Sequence, residues 1–97
     1  MITGKQRSYL KKLSHGIRPA MQLGKEGITE NFINQYEVII EANELVKINV
    51  LDSSPLDAKE AAHELAERTK SEFVQAIGRK CVLYRRAQEE PEIKLPR

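Results

Sequence analysis

The sequence predicts an α+β fold: a two-layer α/β sandwich with the element order α-β-α-β-α-β-β and one four-stranded mixed sheet. Its 97 residues leave room for one domain with one modest core. Two strand–helix–strand units imply parallel crossovers, and a hairpin at the end adds an antiparallel strand. We expect residues 1–86 to form the domain and residues 87–97, which show no periodicity, to form a mobile tail.

The first helix and the first strand account for residues 3–23. Thr3 is a suitable N-cap, and the helix ends at Gly16 and Pro19. One face of this helix holds Gln6, Tyr9, Leu10, Leu13 and Ile17. The other face holds Arg7, Lys11, Lys12 and His15, a stripe that solvent or a polyanion would cover equally well. Residues 20–23 are predicted to form a short strand.

The second helix begins after Thr29, another suitable N-cap, and ends near Asn43. Its apolar face consists of Phe32, Ile33, Tyr36, Ile39 and Ile40. Residues 45–51 follow with the alternation of a half-buried strand. In that strand Val46, Ile48 and Val50 are expected on one face, with Leu45, Lys47 and Asn49 on the other.

The last third of the chain predicts a helix and a hairpin. Ser54, with Pro55 at the first helical position and Asp57 three residues on, is a strong start signal. The helix is expected to run to about Lys70, with an apolar stripe formed by Ala58, Ala61, Ala62, Leu65 and Ala66. Residues 72–77 and 80–84 form strands separated by the two-residue connection Gly78-Arg79.

Charge is segregated along the chain, although the formal net charge is only +2. Residues 1–25 and 73–86 carry basic charges and no acid, whereas most acids lie in residues 26–72. The two ends therefore either form one basic surface or neutralise the acidic middle. The sequence shows no long apolar run and no signal peptide, so we expect a soluble cytoplasmic protein without a membrane partner. Cys81 has no second cysteine with which to form a disulfide, which fits a reducing compartment.

The chain offers little for catalysis. His15, His63 and Cys81 are not spaced like a metal site or a nucleophile with its base, and Cys81 fits a small buried thiol. The carboxylates Glu60, Glu64 and Glu67 are spaced like the solvated face of a helix. We therefore interpret the protein as a binding protein and not an enzyme, with no cofactor and no metal.

The loop Gly24-Lys25-Glu26-Gly27 is the strongest local signal for a ligand. It lies between a predicted strand and the N-terminus of a predicted helix, whose free N–H groups and positive dipole end favour phosphate. The loop matches neither a Walker sequence nor a dinucleotide fingerprint. Taken alone, the two glycines could simply allow a tight turn.

Four motifs in order carry a resemblance to a known family across about residues 3–86. They are Arg18-Pro19 after the basic helix, the loop of residues 24–27, Glu44-Leu45-Val46-Lys47, and Ile77-Gly78-Arg79 with Leu83-Tyr84-Arg85. With these motifs the chain resembles the CRM domain (chloroplast RNA splicing and ribosome maturation) in its bacterial stand-alone form, the YhbY family. The resemblance implies an RNA-binding module that resembles the C-terminal domain of translation initiation factor three. It also implies association with precursors of the large ribosomal subunit.

The residue pattern and the resemblance together predict how RNA would be bound. Phosphates are expected to contact Gly24, Lys25, Glu26, Gly27, Arg7, Lys11, Lys12, Arg18, Arg79 and Arg85. Aromatic residues make up only 5% of the chain, which disfavours base stacking on a sheet and favours recognition of structured RNA by shape. We expect a monomer whose two basic stretches share one side with Lys25, with Glu60, Glu64 and Glu67 away from it.

Two other functions remain open from the sequence. A KH domain also clamps RNA with a Gly-x-x-Gly loop, but that loop joins two helices, whereas residues 20–23 are predicted to be a strand. A protein-interaction adaptor would use the acidic faces of the second and third helices to bind a basic partner. An RNA mobility-shift assay distinguishes the adaptor from the RNA-binding functions.

Overall fold

A computed structural model describes residues 1–97 and contains three helices and four strands. In chain order the elements are α1 (Gly4–Ser14), β1 (Met21–Leu23), α2 (Glu30–Asn43), β2 (Leu45–Val50), α3 (Ala58–Thr69), β3 (Glu72–Ile77) and β4 (Lys80–Tyr84). The predicted α+β class, element order and four-stranded mixed sheet are confirmed. None of the three helices has the length and apolarity that crossing a membrane requires.

The strands lie in the order β1-β2-β4-β3. β1 pairs in parallel with β2, and β4 is antiparallel to both β2 and β3. β2 and β3 therefore run in the same direction, as a crossover requires, but β4 lies between them. Because β4 has a strand on each side, its residues from Cys81 to Tyr84 are buried, whereas β3 lies partly exposed at the edge and contains a bulge between Phe73 and Gln75.

The two faces of the sheet carry separate apolar clusters. The face covered by α2 and α3 holds the larger cluster, which includes Leu23, Tyr36, Ile48, Leu65 and Cys81. The opposite face holds a smaller cluster around α1. That cluster consists of Ile2, Leu10, Leu45, Val74, Val82 and Tyr84. The two-layer arrangement thus describes the sheet with α2 and α3, while α1 packs on the other side.

The helix starts are fixed by capping side chains. The predicted N-cap Thr3 is confirmed and forms a capping box with Gln6. α3 starts later than predicted: its N-cap is Asp57, which forms a capping box with Glu60, and Ser54 lies outside the helix. The Ser54 hydroxyl instead bonds the backbone N–H and carbonyl of Leu56, a local turn that competes with helix formation.

The tail, residues 87–97, contains no helix or strand but contacts the domain at several points. The buried carboxylate of Glu44 accepts hydrogen bonds from the N–H groups of Ala87 (2.9 Å), Glu92 (2.8 Å) and Ile93 (2.8 Å). Ile93 and Leu95 pack against the cluster around α1. The mobility of the tail stays a prediction. The hydrogen bonds to Glu44 are the contacts whose removal would test whether the tail is held to the domain.

Candidate nucleic-acid interface

The glycine loop forms a tight turn directly after β1. The N–H of Gly27 donates to the carbonyl of Gly24 (3.0 Å), and Gly27 has a φ of 70°, a conformation that disfavours residues with a Cβ. A Cβ on Gly27 would also lie 3.2 Å from Cγ of Pro55. Lys25 and Glu26 are exposed at the tip of this turn. The turn thus explains Gly27, and it leaves the Lys25 ammonium free for a ligand.

The N-terminus of α2 lies beyond the loop and is already partly satisfied. Ile28 and Thr29 separate the loop from the helix, and the Thr29 hydroxyl accepts from the N–H of Phe32 (3.0 Å). Glu30 in the first turn places a negative charge at the positive end of the helix dipole. The helix N-terminus is thus partly occupied and set back from the loop, whereas a free N-terminus directly at the loop was expected. The structure therefore leaves Lys25 as the main cationic group at this position.

The glycine loop and the hairpin turn lie at the same end of the sheet. The N–H of Leu51, after β2, donates to the carbonyl of Leu23, and the N–H of Val50 donates to the carbonyl of Arg79. These bonds hold the ends of β1 and β2 beside the turn that joins β3 to β4. Arg79 is thus brought to the same end as Lys25, where its exposed guanidinium pairs with the carboxylate of Asp52.

The cations of the first helix, Arg7, Lys11 and Lys12, lie on the opposite side of the sheet from α2 and α3, and Arg18 follows the helix at the β1 edge of the sheet. The Nε–H of Arg7 donates to the carbonyl of Phe73 (3.1 Å), which fixes this side chain across the edge of β3. Lys11, Lys12 and Arg18 are exposed. None of these four residues, nor Lys25, takes part in an ion pair. Their charges are therefore available to an external polyanion.

Arg85 does not join this group. The five residues of β4 separate it from Arg79, and the six residue steps between the two arginines correspond to roughly 20 Å. Its guanidinium lies 2.6 Å from the Glu37 carboxylate, and it also donates to the carbonyl of Thr69. Only 18% of the Arg85 side chain is exposed. Arg85 thus connects β4 to α2 and α3, and we leave it out of the proposed interface.

The acids of α3 are divided in a way that the sequence did not predict. Glu64 pairs with Arg68 on α3, and Glu67 lies on the same helix, in the layer opposite α1. Glu60 was expected away from the basic side, but it borders the same depression as Arg79 because the cap of α3 lies beside the hairpin turn. The loop end is therefore electrostatically mixed, whereas the α1 side is cationic.

Two lysines that were not expected at the site, Lys47 and Lys80, lie on the α1 side of the sheet. Lys47 is paired with Val82 and Lys80 with Asn49, so both residues are in phase with the strand positions that face α1. For Lys47 the signal in the sequence was the alternation of β2, since it lies between the inward residues Val46 and Ile48, whereas Lys80 begins β4 directly after the hairpin turn. Lys47 and Lys80 lie on the same surface only because β2 pairs with β4.

The structure offers no group arranged for metal binding, since no three His, Cys, Asp or Glu side chains cluster. Cys81 is fully buried, as predicted. Burial in apolar surroundings raises the pKa of its thiol to about 12, so the reactive thiolate is absent at neutral pH. Burial likewise raises the pKa of Tyr36 to about 12, and its hydroxyl donates to Ser71.

Comparison with known proteins places this geometry in a family. A sequence profile described as "CRS1 / YhbY (CRM) domain" matches residues 2–85. The "Probable RNA-binding protein YqeI" of Bacillus subtilis is 38% identical over 96 residues, covering 99% of this chain and 100% of that protein. An "RNA-binding protein" of Haemophilus influenzae is 34% identical over 96 residues, covering 99% of this chain and 96% of that protein.

A solved structure supports the same assignment. The solution structure of a Staphylococcus aureus protein, described as hypothetical and as a candidate RNA binder, superposes with a TM-score of 0.83 at 49% identity. The match covers 99% of this chain and all of that one. Because the profile spans nearly the whole chain and the relatives match from end to end, this protein belongs to the CRS1 / YhbY (CRM) domain family.

Proposed function

We propose that this protein binds structured RNA by contacting phosphates with the glycine loop, the cations of the first helix and Arg18, which follows that helix. The observation that carries the proposal is that Lys25, Lys11, Lys12 and Arg18 are exposed and free of ion pairs. Cations without protein partners can release the counterions of a polyanion when they bind it. The names of the Bacillus and Haemophilus relatives, both RNA-binding proteins, support the choice of RNA.

Lys25 provides the direct test of the glycine loop. Lys25→Ala is expected to weaken binding to an RNA hairpin and to reduce the magnitude of the log–log salt slope by about one unit or less, because one phosphate contact is lost. Thermal stability should stay nearly unchanged, since the side chain is exposed at the tip of the turn. Fluorescence anisotropy over a salt series measures both quantities, and an unchanged affinity and slope would contradict the proposal.

We further propose that the RNA belongs to precursors of the large ribosomal subunit, which rests on the family resemblance. The protein should then co-sediment with large-subunit precursors on sucrose gradients of cell extract prepared at low salt. Lys25→Ala should shift part of it to the free fractions. Sedimentation of the intact wild-type protein only in the free fractions would count against this RNA, while binding to the hairpin could still hold.

The adaptor function has less support. The acids that it would use are partly engaged inside the protein: Glu37 pairs with Arg85, and Glu41 accepts from the N–H groups of Gln88 and Glu89. The KH alternative is disfavoured because the loop follows a strand, β1, as predicted. We propose a binding role and no catalytic role, in keeping with the inert thiol of Cys81.

A further inference from the structure

The sheet face that packs against α1 is only half covered. α1 and the tail contact the row formed by Glu72, Tyr84 and Leu45, together with Val74 and Val82. The next row toward the loop end runs across all four strands and consists of Ile77, Lys80, Asn49 and Gln22. In this row Gln22 and Lys80 are exposed, Asn49 is half-buried, and Ile77 is 65% exposed. We call these four residues, with the neighbouring half-buried Lys47, the open row.

The open row has the composition of a surface for a polyanion. It contains two lysines and two amide side chains, and it contains no acid. Neither Lys47 nor Lys80 takes part in an ion pair of the protein. It also contains no aromatic ring, so stacking of bases is not its means of binding. Lysines on such a face attract phosphates, and the amides can each donate and accept a hydrogen bond.

The open row lies between the half of the sheet that α1 covers and the end that carries the glycine loop. Lys11 borders a depression with Gln75 and Ile77 at one edge of the sheet, and Arg18 borders another with Gln22 and Asn49 at the opposite edge. The glycine loop begins directly after β1, at the end of the sheet that lies beyond the row. The open row therefore lies on a direct path between α1 and the glycine loop that carries Lys25. Strands about 4.8 Å apart give the row a length of roughly 14 Å.

We propose that the open row is an RNA-binding surface that connects the first helix with the glycine loop: Lys47 and Lys80 contact phosphates, and Asn49 contacts a ribose 2′-hydroxyl. The inference rests on the proposed function, because it deepens the same RNA site. A 2′-hydroxyl is both donor and acceptor, like the Asn49 amide, and it distinguishes RNA from DNA. The uncovered half of the sheet thus becomes the floor of the site.

The test compares two variants of equal charge with an RNA hairpin as the probe. Lys47→Glu with Lys80→Glu is expected to weaken binding roughly tenfold or more at about 50 mM salt, with a smaller effect at about 200 mM. The matched control is Arg68→Glu with Lys70→Asp on the α3 side, where aspartate tolerates the left-handed backbone of Lys70. Each double variant replaces two cations by two anions and changes the net charge from +2 to −2. Equal affinities of the two variants would overturn the inference.

Asn49→Ala tests the contact with the ribose. The wild type is expected to bind the unmodified hairpin more tightly than the same hairpin with 2′-methoxy groups. In the variant the ratio of these two affinities should be roughly two- to tenfold smaller. An unchanged preference overturns the ribose contact. One outcome is that the wild-type protein binds the hairpin and Lys25→Ala weakens that binding, while the Lys47 and Lys80 variant binds as well as its control. In that case the open row is not part of the RNA site, but the proposed function still holds. If wild-type protein binds no RNA, the proposed function fails as well.

Amide chemical shifts of the wild-type protein give a readout that does not depend on the folding of any variant. Addition of the hairpin should shift the amide signals of Gln22, Asn49, Ile77 and Lys80 along with that of Lys25. Shifts confined to α1 and the loop of residues 24–27 would overturn the inference, even if the Lys47 and Lys80 variant failed to fold.

Discussion

Glu44→Gln is expected to lower the free energy of unfolding by about 2–4 kcal/mol, because a buried carboxylate that accepts three backbone hydrogen bonds is replaced by an amide. Glu44 is only 2% exposed, so water cannot replace the lost acceptor. The Gln NH₂ group would face at least one N–H donor of the tail. For a chain of 97 residues this corresponds to a melting temperature lower by on the order of 10–20 °C. Thermal unfolding followed by circular dichroism measures it.

The effect of Glu44→Gln should depend on pH. Burial alone would raise the pKa of Glu44, but hydrogen bonds from Ala87, Ile93 and Glu92 outweigh it and hold the pKa below the ordinary value of 4.5. A lowered pKa gives stability that is present above the ordinary value and is lost as the pH falls through the pKa of the folded protein. The stability difference between wild type and Glu44→Gln should therefore narrow below about pH 4.5. A difference that stays constant down to pH 3 would contradict this account.

Glu90→Gln is the matched control, since this exposed tail residue loses the same charge. It should unfold close to the wild-type temperature. Hydrogen exchange at the amides of Ala87, Glu92 and Ile93 adds a local readout: protection in the wild type and its loss in Glu44→Gln would show that Glu44 anchors the tail. Fast exchange of these amides in both proteins would instead support the predicted mobility of residues 87–97.

Lys11→Glu combined with Arg18→Glu is expected to have the largest effect on RNA binding, a loss of roughly 10- to 100-fold at about 50 mM salt. Two phosphate contacts disappear and two repulsions replace them. Both side chains are exposed and unpaired, so folding should change little. The loss should shrink as salt rises, because screening weakens attraction and repulsion alike. Filter binding with an RNA hairpin across a salt series measures it.

The control is again Arg68→Glu with Lys70→Asp, which produces the same net charge on the opposite layer. If this control weakened binding as much as the Lys11 and Arg18 variant, overall charge and not the α1 side would govern the affinity. A loss that did not change with salt would point to misfolding or to a contact that is not electrostatic. Either result would remove Lys11 and Arg18 from the proposed interface.

Much of the candidate site was predictable because its signals are local. Lys25 was found from its position between two glycines, and the structure explains Gly27 by its φ of 70°. Arg7, Lys11 and Lys12 were found from helical spacing in a stretch without acids. Arg85 also lies in a basic stretch of the sequence, but in the structure it pairs with Glu37. Its basic neighbourhood in the sequence gave no sign that Glu37, 48 residues away, would pair with it.

The sequence by itself determined the seven elements, because hydrophobic periods, capping residues and the Gly78-Arg79 turn act over a few residues. Only the tertiary structure decided that β4 lies between β2 and β3, that α1 covers the opposite face from α2 and α3, and that Glu44 binds the tail. Alternation along a strand shows that one face is buried, but it does not show which strand is its neighbour. Strand pairing and ion pairing depend on contacts between residues far apart in the chain, and these contacts also bring Lys47 and Lys80 onto one surface.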